Sequence, residues 1–115
     1  LALAMAGCVT DSATGSMASA ASYYSSLVDY TVKSTNAAGY YAVPRALWRN
    51  SGNSDAARVN AMLAKGLSGP RQPNVQALVP AGEVWIIPVC NDKPQPAKKK
   101  MATVSEGGQS SVSCK

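Results

Sequence analysis

The stretch Glu83-Val84-Trp85-Ile86-Ile87-Pro88-Val89-Cys90 decides which fold the sequence predicts. It is apolar and rich in β-branched residues, which is typical of a strand. A second strand-like run, Asn74-Val75-Gln76-Ala77-Leu78-Val79, precedes it across the turn-forming residues Pro80-Ala81-Gly82. Two strands joined by so short a turn predict a β-hairpin.

The second strand of this hairpin is also a candidate docking site. Its apolar run is unbroken, so both of its faces should be covered, one by helices and the other by another chain. Pro88 lacks a backbone donor, which favours an edge position, and an exposed edge accepts a strand from a partner. The alternative is that Trp85 and Ile87 pack as ordinary core residues. The docking residues in the first interpretation are Val84, Trp85, Ile86 and Ile87.

Two amphipathic helices are expected before the hairpin. The first spans Ser16 to Lys33, where apolar and small side chains recur at three- and four-residue steps. The second begins after the N-cap residue Ser54 and ends near Gly66. Its apolar face consists of Val59, Met62, Leu63 and Leu67. Tyr40 to Pro44 reads as a short extended segment, and Arg45 to Arg49 as a helical turn. The predicted fold class is therefore α+β, a small domain over residues 16–90 with two amphipathic helices packed on a β-hairpin or short antiparallel sheet.

The composition argues against an enzyme. The sequence of 115 residues contains no His, which removes Ser-His-Asp and Cys-His arrangements and zinc sites that need imidazole. The acidic residues number only six and lie far apart in sequence. Asp29 and Glu83 are the one carboxylate pair that falls in predicted ordered elements, and solvated positions explain them more simply. We therefore expect a non-enzymatic protein without a cofactor or a metal.

The first eight residues resemble a bacterial lipoprotein signal. Met5-Ala6-Gly7-Cys8 stands in the register of a lipobox, in which an aliphatic residue and two small residues precede the acylated cysteine. The resemblance implies that residues 1–7 are the remnant of a signal peptide and that Cys8 carries acyl chains, palmitate among them. Residues 8–15 then form a linker. Val9 follows the cysteine in place of the Asp that retains lipoproteins in the inner membrane, which implies the periplasmic face of the outer membrane. The alternative is an Ala-rich turn with a buried free Cys8.

The last 25 or so residues, 91–115, have the composition of a basic tail. They are rich in Pro, Lys and Ser, and such segments bury too little apolar surface to order alone. The run Lys98, Lys99 and Lys100 is expected to be solvated or attracted to anionic head groups or cell-wall polymers. If Cys8 is acylated, the two thiols that remain, Cys90 and Cys114, suit a disulfide in an oxidising periplasm, and two unpaired cysteines are the alternative.

The net charge of +5 comes from 11 Lys and Arg against 6 Asp and Glu. Arg45 and Arg49 flank Trp48, a pattern compatible with single-stranded nucleic acid. The tail lysines by themselves could account for the excess charge, so binding of nucleic acid ranks low.

These features together predict an accessory or assembly subunit of a larger envelope complex, such as a secretion or conjugation machinery. The layout is similar to the small lipoproteins of type IV secretion outer-membrane complexes. The expected partners are other protein subunits, so we expect the chain to be part of an oligomer. The acyl chains on Cys8 are expected to lie in the membrane. A structural subunit of a virion or pilus and a secreted binding or inhibitor module are the alternatives.

Overall fold

The computed structural model describes residues 26–64 and 70–115. Seven strands and two short helices follow one another within these ranges. In chain order they are β1 (Leu27–Lys33), β2 (Gly39–Pro44), α1 (Arg45–Arg49), α2 (Asp55–Ala64), β3 (Gln76–Pro80), β4 (Gly82–Cys90), β5 (Lys93–Pro94), β6 (Lys100–Val104) and β7 (Gly108–Ser111), with a 3₁₀ turn at Pro96–Lys98. The protein is thus mostly β, and the predicted pair of amphipathic helices on a hairpin is wrong.

The strands form two sheets. In the first sheet β1 lies between β3, which is antiparallel to it, and β7, which is parallel. In the second sheet β4 is central, with β2 along one side and β6 and β5 one after the other along the opposite side. All pairings in the second sheet are antiparallel.

The predicted first helix fails at its C-terminal half. Residues 27–33 are strand β1, and residues 16–25 lie outside the described part of the chain. Tyr30 and Val32 are buried and alternate with more exposed neighbours. This period of two is that of a strand, and β-branched and aromatic side chains favour strands as well. Leu27, Val28 and Thr31 fit a helical spacing as well, and the pairing with β3 and β7 decided between the two periods.

The predicted hairpin is wrong in its pairing, although both of its segments are strands. β3 pairs with β1 in the first sheet, and β4 lies in the second sheet. The link between them is a corner, in which Gly82 has a φ of +97°, a value that favours glycine. Val79 and Val84, on either side of this corner, both face the core between the sheets. Burial of these two side chains therefore outweighs local hairpin pairing.

Two apolar layers hold the sheets and helices together. The layer between the two sheets contains Tyr30, Val32, Tyr40, Ala42, Val79, Val84, Ile86, Ala102, Val104 and Val112. The layer between the second sheet and the helices contains Tyr41, Val43, Leu47, Trp48, Met62 and Ile87, with Val59, Trp85 and Val89 packed against it. The unbroken apolar run of β4 follows from this arrangement, because Ile86 faces one layer and Ile87 the other. The first sheet of the same chain covers the face that we expected another chain to cover.

Pro88 lies inside β4 and does not mark an edge. Its partner across the ladder is Tyr40, whose backbone N–H and C=O both bond to Arg71 and so point away from β4. The backbone nitrogen of Pro88 therefore points away from β2, toward the side on which β6 and β5 pair with β4. The pairing with β6 ends at Ile86 and the pairing with β5 begins at Val89, so Pro88 lies in the gap between them. The missing donor breaks no ladder bond at this place.

The helix after Ser54 agrees with its prediction at the N-terminus. The backbone N–H of Ala57 donates to Ser54 Oγ over 3.2 Å, which is the capping bond expected of serine. Met62 is buried and Val59 packs against the second layer. Leu63 is 47% exposed, so it does not belong to the buried face, and Leu67 lies outside the described residues.

The segment 91–115 is folded and is not a solvated tail. It supplies β5 and β6 to the second sheet and β7 to the first. In β6, Ala102 and Val104 are buried between exposed Met101 and Thr103, and Val112 completes the core. This alternation is too short to change the average composition of the segment, which is polar. Backbone pairing with strands far away in sequence stabilises the other residues of the segment.

Candidate functional site

A shallow groove lies on the helical side of the second sheet. Its volume is about 240 Å³, and it brings together both tryptophans of the chain with four basic side chains. We call it the tryptophan groove; its residues are Arg45, Trp48, Arg49, Arg58, Trp85 and Lys99.

The secondary structure explains why these side chains meet. In α1, Leu47 and Trp48 turn inward and are almost fully buried, which leaves Arg45 and Arg49, one helical turn apart, on the exposed side. In β4, Trp85 lies between Val84 and Ile86, which face the core, so its ring faces the helices. The groove forms where these two elements meet.

Lys99 ties the 3₁₀ turn to this surface. Its Nζ lies 4.8 Å from the ring centroid of Trp85 and 6.0 Å from that of Trp48. It is also 3.9 Å from Asp55 Oδ2 and donates to the Pro96 carbonyl oxygen over 3.5 Å. The side chain is only 22% exposed. Lys99 thus contributes cation–π and ionic contacts to the fold.

The other charges of the groove are partly paired. Arg45 Nη1 lies 2.9 Å from Glu83 Oε1, with both side chains more than half exposed. Arg58 lies 3.6 Å from Asp55 Oδ1, and its guanidinium is 6.0 Å from the Trp48 centroid. Arg49 forms no ion pair with any residue that the structure describes. The four cations outnumber the two carboxylates, so the groove carries a net positive charge.

The side chains of the groove are of types that can bind an anionic group and an apolar group next to it. Guanidinium groups bind carboxylates or phosphates in a fixed geometry, and the exposed part of an indole offers apolar contact. The carboxylates Asp29 and Glu83 are not brought together, because Asp29 lies in the first sheet and Glu83 binds Arg45 in front of the second. Within residues 26–64 and 70–115, no group of His, Cys, Asp or Glu could hold a metal ion.

The proposed docking edge on β4 does not exist in the folded chain. Val84, Ile86 and Ile87 are each 0% exposed, and both sides of the strand are paired. Of the four residues, Trp85 alone reaches the surface, where it lines the tryptophan groove. The interpretation of Ile87 as a core residue is the one that agrees with the structure.

The cysteines and lysines fall into separate places. Cys90 and Cys114 are joined by a disulfide with an S–S distance of 2.03 Å, and Cys8 lies outside the described residues. Lys98 and Lys100 are exposed, whereas Lys99 turns inward. The run of three lysines therefore divides between two surfaces.

Sequence reasoning found part of the groove. The placing of Arg45 and Arg49 around Trp48 was visible in the sequence, but Arg58 and Lys99 lie 10 and 51 positions from that tryptophan. Nothing in the sequence connects them with it, because the contact depends on how α2 and the 3₁₀ turn pack on the sheet.

No helix in the described part of the chain is long and apolar enough to cross a membrane. No family model matches the chain, and neither a curated protein nor a solved structure shows significant similarity to it.

Proposed function

We propose that this protein is a non-enzymatic exported lipoprotein, anchored through Cys8 at the periplasmic face of the bacterial outer membrane. It serves there as an accessory or assembly subunit of a secretion or conjugation machinery. The lipobox-like sequence that ends at Cys8 motivates the anchor.

The disulfide is the observation that carries the proposal. Protein disulfides persist in oxidising compartments and are rare where thiols are kept reduced. Cys90 ends β4, and Cys114 follows β7 with its Cα atom 5.8 Å away, so the two sheets bring the pair together. This pairing does not involve Cys8, so it is compatible with acylation of that residue.

The tryptophan groove supports a role as a subunit. Trp and Arg are the residue types that contribute most binding energy at protein interfaces. Arg49 has no ion pair with a described residue and can bind a carboxylate. The half-buried Trp85 can contact apolar atoms next to that carboxylate. The partner chemistry that fits is an acidic segment with an apolar side chain, presented by another subunit.

Metabolic labelling with a palmitate analogue tests the anchor. The full coding sequence, including everything upstream of Leu1, is expressed in the native source, and the label is read on the purified protein. We expect labelling of the parent and of Cys90→Ser, and none of Cys8→Ser. A parent chain that carries no label and still begins at or before Leu1 contradicts the anchor and favours the structural subunit of a virion or pilus.

Size measurement after mild detergent extraction tests the subunit role. We expect the native protein to run in a complex much larger than the monomer. Arg49→Glu should lower the fraction in that complex by about tenfold, since it places a like charge against the acidic partner. Lys33→Glu is the matched control, because Lys33 is exposed on the other sheet. A monomeric native protein would refute this role and favour a secreted binding module.

A further inference from the structure

The outward-facing lysines border a second depression. Lys98 and Lys100 line it together with Lys115, Ser111, Val112 and Ser113, and its volume is about 250 Å³. None of these residues lines the tryptophan groove, whereas Lys99 lies in that groove against Trp85. We call this depression the lysine pocket.

The backbone around the lysine pocket is firmly held. The N–H of Val112 donates to the Lys33 carbonyl oxygen over 3.0 Å, and the Val112 side chain is buried in the core. The disulfide fixes Cys114, whose N–H donates to Asn36 Oδ1 over 2.8 Å. Asn36 Nδ2 in turn donates to Ser113 Oγ over 3.2 Å. The pocket therefore presents its lysines from a fixed base.

Positive charge predominates in the lysine pocket. No carboxylate side chain lines it, and none of its three lysines forms an ion pair with a residue of the described ranges. Three ammonium groups beside the Ser111 hydroxyl make a site for an anion with several acceptor oxygens, such as a phosphate.

The residue types that line the pocket indicate which kind of molecule carries that phosphate. No aromatic side chain lines the pocket, so nucleic acid bases would find no stacking surface. Its one apolar residue, Val112, is only 4% exposed, so the pocket presents no hydrophobic side chain of the kind that anchors a protein partner. Lysines act as flexible point charges without the fork of arginine, and clusters of them bind anionic lipid surfaces.

We propose that the lysine pocket binds the phosphate of an anionic phospholipid head group. This is a direct contact of the folded domain with the membrane surface, separate from the tryptophan groove. It requires no acyl chain on Cys8, so it goes beyond the proposed subunit role and can succeed or fail independently of it.

Sedimentation with lipid vesicles tests the proposal. The full chain carrying Cys8→Ser, with its disulfide intact, is mixed at low ionic strength with vesicles of phosphatidylcholine, with or without phosphatidylglycerol. We expect binding to the mixed vesicles alone, and weaker binding as salt is added. Lys98→Gln/Lys100→Gln should weaken the binding by about tenfold or more.

The matched control for Lys98→Gln alone is Lys93→Gln, which removes one charge from an exposed position outside both the lysine pocket and the tryptophan groove. It should change binding by less than about twofold. Circular dichroism checks that all variants fold. Equal losses in the two single variants, or no preference for phosphatidylglycerol, would overturn the proposal. Saturation of the pocket by inorganic phosphate or by a single-stranded oligonucleotide, without vesicle binding, would also overturn it.

Discussion

Lys99 is the residue whose place in the structure differs most from the place that its sequence context predicts. In the sequence it is the middle of a basic run beside prolines, which is typical of a solvated segment. In the fold its ammonium group lies against two indole rings and near the Asp55 carboxylate, while its two neighbours face solvent. One side chain thus fastens the chain between β5 and β6 to the helices.

Replacement of Lys99 by Met tests this role. Lys99→Met keeps most of the apolar stem and removes the charge, so it should lower the free energy of unfolding by about 1 kcal/mol. Urea unfolding measures the change. Lys98→Met is the matched control and should stay within about 0.5 kcal/mol of the parent. Equal effects of the two changes would contradict the anchoring role of Lys99.

At the scale of elements, β4 organises the molecule. It pairs on both sides, and its two faces belong to different apolar layers. The nine residues of β4 thus contribute to both apolar layers of the fold. A strand in this position cannot serve as a docking edge, because its backbone groups are already paired.

Truncation of Ile86 tests the central position of β4. Ile86 is 0% exposed between the sheets, so Ile86→Ala should cost about 3 kcal/mol of unfolding free energy. Leu78, on β3, is 54% exposed, and Leu78→Ala should cost less than about 0.5 kcal/mol. Both values come from denaturant titration. A small loss for Ile86→Ala would be incompatible with a buried β4.

A second truncation tests whether residues 91–115 belong to the core. Val104 is 3% exposed and Thr103, its neighbour in β6, is exposed. We expect Val104→Ala to lower the unfolding free energy by about 2 kcal/mol, since it removes two methyl groups from the layer between the sheets. Thr103→Ala should lie within about 0.5 kcal/mol of the parent. If thermal unfolding gave the same midpoint for both variants and the parent, a solvated tail would be the better description.

At the scale of the whole molecule, the disulfide links parts of both sheets. Cys90 ends the central strand of the second sheet, and Cys114 follows β7, an edge strand of the first. Their separation of 24 residues encloses β5, β6 and β7 in one loop. The bridge therefore restrains the whole C-terminal part of the fold.

Removal of the bridge should lower stability without changing the topology. On the chain-entropy model, Cys90→Ala/Cys114→Ala in a Cys8→Ser background should lower the unfolding free energy by about 3 kcal/mol. A reducing agent should lower the urea midpoint of the Cys8→Ser parent by a comparable amount and leave that of the triple variant unchanged. An unchanged midpoint for the parent under reduction would show that the bridge adds no stability.

The sequence alone located several elements whose signals are local. The Ser54 cap, the helical turn at Arg45, and the strands around Val79 and Val84 each depend on residues within a few positions. It also predicted the pairing of Cys90 with Cys114, which the structure contains. The lipid anchor on Cys8 and the role in an envelope complex remain proposals.

Tertiary structure alone decided which strands pair, whether 27–33 is a helix or a strand, and where the lysines point. Leu27 to Lys33 fits two periodicities, and strand pairing with β3 and β7 chose one of them. The corner at Gly82 separates two strands that local turn chemistry would have joined. The physical reason is that burial of apolar side chains between two sheets depends on contacts across long sequence distances, and no local pattern records them.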